Sequence, residues 1–272
     1  MAKSKIVLPL THVHLLPNIV TAGNLFFGFL SIIRCIQAKY TIGNETSSAY
    51  YVQAVWCIFF SAICDTLDGR LARFSGGETL FGKELDSLAD VVSFGVAPAL
   101  MVFFLILSPT DTYPYFRKIG WLVGFIYLLC GTVRLARFNV MTSTNIPETK
   151  ALSPKRARYF VGLPITAAAA TIASIVLVIN RFELKFWTLL LPELMLLIAG
   201  LMVSNIHYPS FKHFDWNHKT RIQTFLAVAI AGATLFHFRE FSFAIAFLTY
   251  IFYGIVRHIQ HTWKNRHPHL PS

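Results

Sequence analysis

Charge is scarce in this chain: only 14% of its 272 residues are Asp, Glu, Lys or Arg, where a soluble domain carries about a quarter. That deficit, with a mean hydropathy of +0.55, excludes an ordinary soluble enzyme. Long polar stretches are missing too. No segment between apolar runs is long enough to build a core of its own, so the sequence reads as one domain over 1–272. Cysteine is limited to Cys35, Cys57, Cys64 and Cys130, and without CxxC spacing these read as buried thiols rather than disulfide or zinc ligands. The amino terminus mixes Lys3, Lys5, His12 and His14 and lacks the layout of a cleavable signal. Residues 1–16 are expected to form a short interfacial segment instead.

What is abundant is apolar sequence. A bilayer-spanning helix needs about 20 mostly apolar residues. Eight such windows follow one another, near 17–38, 50–68, 87–108, 118–136, 160–180, 185–204, 221–238 and 241–258. They are too long and too continuous for the alternating strands of a barrel. The expected fold class is therefore an all-α integral membrane protein, a polytopic helical bundle of about eight transmembrane helices. With the amino terminus inside, Lys and Arg concentrate on the side that holds both termini, and the positive-inside rule places that side in the cytoplasm. The net charge of +11 then faces anionic headgroups, so the expected partner is membrane lipid and not nucleic acid.

One segment is out of place in such a chain: CDTLDGRLARFSGGETLFGKELDSLAD, residues 64–90. It sets Asp65, Asp68, Asp86 and Asp90 at the cytoplasmic ends of two antiparallel spans. Asp65 and Asp68 are three apart and Asp86 and Asp90 four apart, so each pair shares one helix face. Gly76 and Gly77 supply a turn between the arms. An Asp at mid-membrane costs about 2.5–3.5 kcal/mol, less near an interface, and four together also repel one another. Arg70, Arg73 and Lys83 are near enough in sequence to neutralise them. A carboxylate cluster without Cys or His is also what Mg²⁺ or Mn²⁺ prefers. Gly69 and Ala72 flank the acidic face with minimal side chains, which admits either a ligand or a closely packed helix. Arg73, one turn past Gly69, has the planar fork that clamps phosphate.

Written as a pattern, Asp65-x2-Asp68-Gly69-x2-Ala72-Arg73-x8-Gly82-x3-Asp86-x3-Asp90 resembles the signature of the CDP-alcohol phosphatidyltransferases at every defined position. The resemblance implies a membrane enzyme that moves a phosphatidyl group from CDP-diacylglycerol to a hydroxyl-bearing acceptor and releases CMP. It implies two divalent ions, Mg²⁺ or Mn²⁺, at a metal site of Asp65, Asp68, Asp86 and Asp90, with the first three as ligands and Asp90 both near the metals and the general base. Gly69, Ala72 and Arg73 would border the CDP moiety. Homodimerisation is implied by the same resemblance alone.

Flanking stretches resemble one branch of that family, the membrane-embedded phosphatidylserine synthases: LPNIVTAGNLFFGF from Leu16, RLARFNV from Arg134, FVGLPITAAA from Phe160 and LMVSNIHYPSFK from Leu201. They imply L-serine as acceptor and a six-helix catalytic core over 17–204, with 205–272 adding two helices and a tail, in a cell membrane with the active site facing the cytoplasm. In the first stretch Pro17 suits a helix start, and Asn18, Thr21 and Asn24 then share a face, where they either contact the nucleotide or hydrogen-bond between helices. Arg134 and Arg137 are expected to end the fourth span, as partners for a serine carboxylate, partners for a lipid phosphate, or plain topological anchors. Lys150, Lys155, Arg156 and Arg158 read as headgroup or topology determinants. His207 is read as structural, and the alanines at 167–170 as packing. No His-x-Lys pair occurs, which excludes double displacement through a phosphohistidine of that type. Glycerol 3-phosphate and inositol stay open as acceptors, because the acidic segment reads only the CDP-lipid half. A divalent-metal transporter fits less well, since the cluster lies at one end of the spans and no internal repeat is visible.

Overall fold

The computed structural model describes residues 15–74, 79–107, 118–143, 159–182, 185–209 and 239–266. Its helices are α1 (Leu15–Tyr40), α2 (Asn44–Phe74), α3 (Leu80–Leu107), α4 (Gly120–Ser143), α5 (Ile165–Arg181), α6 (Leu191–Val203) and α7 (Arg239–Arg266). Among the described residues four stretches are long and apolar enough to cross a membrane: Pro17–Tyr40, Glu45–Ala72, Leu80–Leu107 and Gly120–Met141. Three shorter apolar helices cover Ile165–Arg181, Trp187–Val203 and Phe241–Arg257. The chain is a helical membrane protein. The window at 221–238, the segment 1–14 and the basic residues at 150–158 lie outside the described residues.

α1 lies along α2 and against α3, α5 packs on α2 and α7, and α4 packs on α6. α5 is the interior helix: Ala168, Ala169, Ala170 and Ala173 are all buried, and their small side chains let neighbours approach. The outward faces of α1 and α2 carry exposed Phe26, Phe29, Phe60 and Ile63, the reverse of a soluble bundle and the arrangement that acyl chains require. All four cysteines are free thiols.

Three features differ from the sequence expectation. Apolar content marks the part of a helix suited to lipid, whereas the helix itself ends where its backbone hydrogen bonds end. α2 therefore runs beyond 50–68 at both ends, and α3 starts at Leu80 rather than near 87, where Thr79 caps it by accepting the Gly82 N–H at 3.0 Å. For the same reason α4 continues to Ser143, so Arg134 and Arg137 do not end it. The third feature is a two-stranded antiparallel ribbon, β1 (Tyr159–Val161) with β2 (His207–Pro209). Residues before proline favour extended backbone, and Leu163 and Tyr208 precede Pro164 and Pro209, which delays α5 to Ile165. Gly162, at φ 80°, turns the chain out of the ribbon where a Cβ would overlap the Met202 carbonyl.

Pro98 shapes α3. Proline lacks an N–H and its ring crowds the carbonyl four residues back, here that of Phe94. The helix widens over Val91–Val96, and the Ala97 N–H reaches the Val92 carbonyl, five residues back. The Phe94 carbonyl accepts the Tyr127 hydroxyl of α4 at 3.0 Å, and Tyr127 is fully buried. Tyr127→Phe strands that carbonyl and is expected to cost about 1–3 kcal/mol, read as a lower midpoint of thermal unfolding in detergent. An unchanged midpoint would mean that the hydroxyl does not hold the widened turn.

Candidate active site

α2 and the start of α3 both pack against α1, and the last turns of α2 face the first turns of α3 across a cluster of acids. Asp65, Asp68, Gly69 and Ala72 come from the former, Asp86 and Asp90 from the latter. Asp65, Asp68 and Asp86 each turn a carboxylate oxygen to a common point, all three within 4.8 Å of one another. Asp68 is buried, and Asp65 and Asp86 are half-buried. Asp90 lies outside that trio. It is 7% exposed, and one of its oxygens accepts the Asn24 side-chain amide at 3.1 Å.

A cleft opens on one side of the cluster. α2 lines it with Asp68, Gly69 and Ala72, the start of α3 with Thr79, Gly82, Lys83 and Asp86, and the start of α1 with Pro17, Asn18 and Thr21. A Cβ at Gly69 would meet no atom within 4 Å, so close helix packing does not explain the missing side chain there. Gly82 is different: a Cβ would crowd Thr79 Oγ1 at 3.0 Å and Asn18 Oδ1 at 3.2 Å, so this glycine lets α1 and α3 meet. The Thr21 hydroxyl donates to the Pro17 carbonyl at 3.0 Å, which leaves it able only to accept from a ligand. Arg73 continues α2, and its side chain lies outside the described residues.

The two arginines of α4 have separate surroundings. Arg134 feels the charges of Asp90 and Asp65 and lies over the Phe138 ring, 5.7 Å from its centroid. Arg137 donates to Asn205 Oδ1 at 2.9 Å, which ties α4 to the end of α6. Asn139 donates to Ser87 at 2.8 Å and ties α4 to α3.

Sequence reasoning left Thr79 out of the site and named Lys83 only as a counter-charge to the aspartates, not as part of the cleft lining. It also missed Tyr250, which α7 brings within electrostatic reach of Arg134. The capping pattern at Thr79 and the helical offset from Lys83 to Asp86 and Asp90 were available signals. Nothing in the sequence links Tyr250 to residues more than a hundred positions away.

Among the described residues the donor set is chemically simple: three carboxylates, with no nitrogen or sulfur ligand. Such a set suits a hard divalent cation of the Mg²⁺ or Mn²⁺ kind. Fold and site thus define a helical membrane protein with a carboxylate cluster suited to a divalent ion between two of its helices. The chain belongs to the CDP-alcohol phosphatidyltransferase family, whose model matches residues 14–204. It is 35% identical over 252 residues, 92% of this chain and 93% of the relative, to a CDP-diacylglycerol–serine O-phosphatidyltransferase of Helicobacter pylori. It is 34% identical over 196 residues, 71% of this chain and 69% of the relative, to an archaetidylserine synthase of Methanothermobacter thermautotrophicus. A Saccharomyces cerevisiae CDP-diacylglycerol–serine O-phosphatidyltransferase is 38% identical over 154 residues, 56% of this chain and 50% of the relative.

Open space at Gly69 separates stability from activity. Gly69→Leu is expected to leave the unfolding midpoint unchanged or raise it, since a helical glycine costs about 0.5–1 kcal/mol relative to alanine, while filling the cleft and lowering turnover at least tenfold. A variant that unfolds earlier yet turns over normally would show that Gly69 serves packing.

Proposed function

We propose that this protein transfers the phosphatidyl group of CDP-diacylglycerol to the hydroxyl of L-serine, giving phosphatidylserine and CMP. The observation that carries the proposal is the convergence of Asp65, Asp68 and Asp86 within 4.8 Å beside a cleft floored by Gly69. Serine as acceptor is supported by relatives that differ in lipid yet share serine in their names.

In the proposed mechanism Asp65, Asp68 and Asp86 hold divalent metal, two ions with Asp90 beside them, as the family resemblance implies. Metal bound there neutralises and orients the donor diphosphate. The chain's own groups do the rest. Asn18, Thr21, Gly69, Ala72 and Arg73 border the nucleotide and its phosphates, and the small residues let the ligand approach the helix backbone. Asp90 accepts the acceptor's proton, because an alcohol near neutral pH is a poor nucleophile. Direct attack by that hydroxyl fits a sequence without a His-x-Lys pair. Arg134, facing the acidic cluster, is the cation assigned to the serine carboxylate, with Arg137 beside it on α4.

The proposal includes about eight spans, both termini and the carboxylate cluster on the cytoplasmic side of the cell membrane, and a homodimer. The distribution of Lys and Arg supports that orientation, and cysteine accessibility and cross-linking in membranes test it. In this reading 1–16 lies at the interface, 17–204 is the catalytic core, and 205–272 adds two helices and the tail.

Purified protein with Mn²⁺ or Mg²⁺ and CDP-diacylglycerol is to be supplied with serine, glycerol 3-phosphate or inositol in turn. Serine-dependent CMP release and phosphatidylserine are expected, and their absence sinks the acceptor assignment. Asp90→Asn is expected to lose turnover about 10²- to 10⁴-fold with CDP-diacylglycerol binding retained. Near-normal turnover would remove Asp90 as the base.

A further inference from the structure

We propose that Asn24 is a positioning residue for Asp90: its amide engages one carboxylate oxygen and thereby designates the other as the atom that takes the proton. The inference rests on Asp90 being the base.

Asn24 is 0% exposed, and each of its polar groups is engaged. Its Nδ2 donates to Asp90 at 3.1 Å. Its Oδ1 accepts from the Ser61 hydroxyl of α2 in a short contact. Its backbone carbonyl accepts from Ser93 at 3.0 Å, within the widened turn of α3. Three helices therefore meet at one amide. A side chain that is fully buried and bonded to Asp90 and Ser61 favours the interhelical role over nucleotide contact, the two roles open to Asn24 from sequence. The amide cannot rotate end for end without setting its oxygen against a carboxylate. Gly28, one turn further along α1, lets Ser93 come this close, since a Cβ there would overlap it.

A carboxylate has two oxygens, and a base that rotates presents either. With one held by Asn24, the acceptor hydroxyl gives its proton to the other. Its oxygen forms the new bond to the phosphatidyl phosphorus, and the bond from that phosphorus to the bridging oxygen breaks with the electron pair leaving on CMP. Fixing one carboxylate orientation matters because small misplacements of a reacting group cost large factors in rate.

The test uses the full chain in detergent with lipid, and measures kcat, KM for serine, CDP-diacylglycerol binding, and Mn²⁺ binding by electron paramagnetic resonance. Asn24→Ala is expected to lower kcat about 10- to 100-fold while donor binding, Mn²⁺ binding and KM for serine hold. Ser61→Ala keeps Asn24 but frees its amide, and is expected to lower kcat in the same direction by a smaller factor. It carries the test where Asn24→Ala does not fold. Unchanged kcat in the folded variants, with Asp90→Asn inactive, overturns the positioning role and leaves Asp90 as base. Loss of donor or Mn²⁺ binding with kcat intact overturns it in favour of a binding role. Near-normal turnover of Asp90→Asn is the separate result that removes the base itself, and the proposal with it.

Discussion

Carboxylates this close repel one another, and the bundle is arranged around that repulsion. Asp65, Asp68 and Asp86 hold oxygens within 4.8 Å in partly buried surroundings, where like charges repel more strongly than in open water. Cation close by is the physical remedy, and Arg134 of α4 supplies a fixed positive charge on one side of the cluster. Among the described residues the donor set is wholly oxygen, of the kind that suits hard divalent ions. The packing of both α2 and α3 on α1 is what brings the two acidic pairs to the same end.

Holding helices against that repulsion in an apolar medium falls to hydroxyl and amide groups. The hydrophobic drive between helices is weak in lipid, so close packing and interhelical hydrogen bonds take over. Ser31 donates to the Ala54 carbonyl at 2.9 Å, Ser47 to the Ala38 carbonyl at 2.8 Å, and Asn180 to the Ser48 carbonyl at 2.9 Å. These contacts run along α1, α2 and α5 at the end away from the acids. Asn24, Ser61 and Ser93 do the same work beside them, so the site is one node in a wider pattern of polar fastening.

Much of this was legible in the sequence. Apolar windows located each described helix, and the three-residue offset from Asp65 to Asp68 implied a shared face, because helical periodicity is local. Boundaries were less legible, since α3 begins with the polar cap at Thr79 and not where apolar residues begin. The ribbon escaped because two strands of three residues carry no periodicity, and only Pro164 and Pro209 hint at extended backbone. Asn24 was placed on the correct helix face, yet its contact with Asp90 depends on how α1 leans on α3. Tyr250 was invisible for the same reason, as was the separation of Arg137 from Arg134 through Asn205. Pairings between distant segments are set by packing geometry, which a single sequence does not display.

The widened turn at Val91–Val96 has a geometric meaning of its own. A wide turn takes in one residue more than the regular helix, and one residue corresponds to about 100° of rotation about the axis. The stretch bearing Asp86 and Asp90 is therefore set to a different angular phase from the stretch bearing Met101 and Val102, although both belong to one rod. The acidic end can face the cleft while the far end faces the apolar core. For this helix a one-residue deletion inside the turn amounts to a change of compass bearing for its carboxylates far more than a change of length.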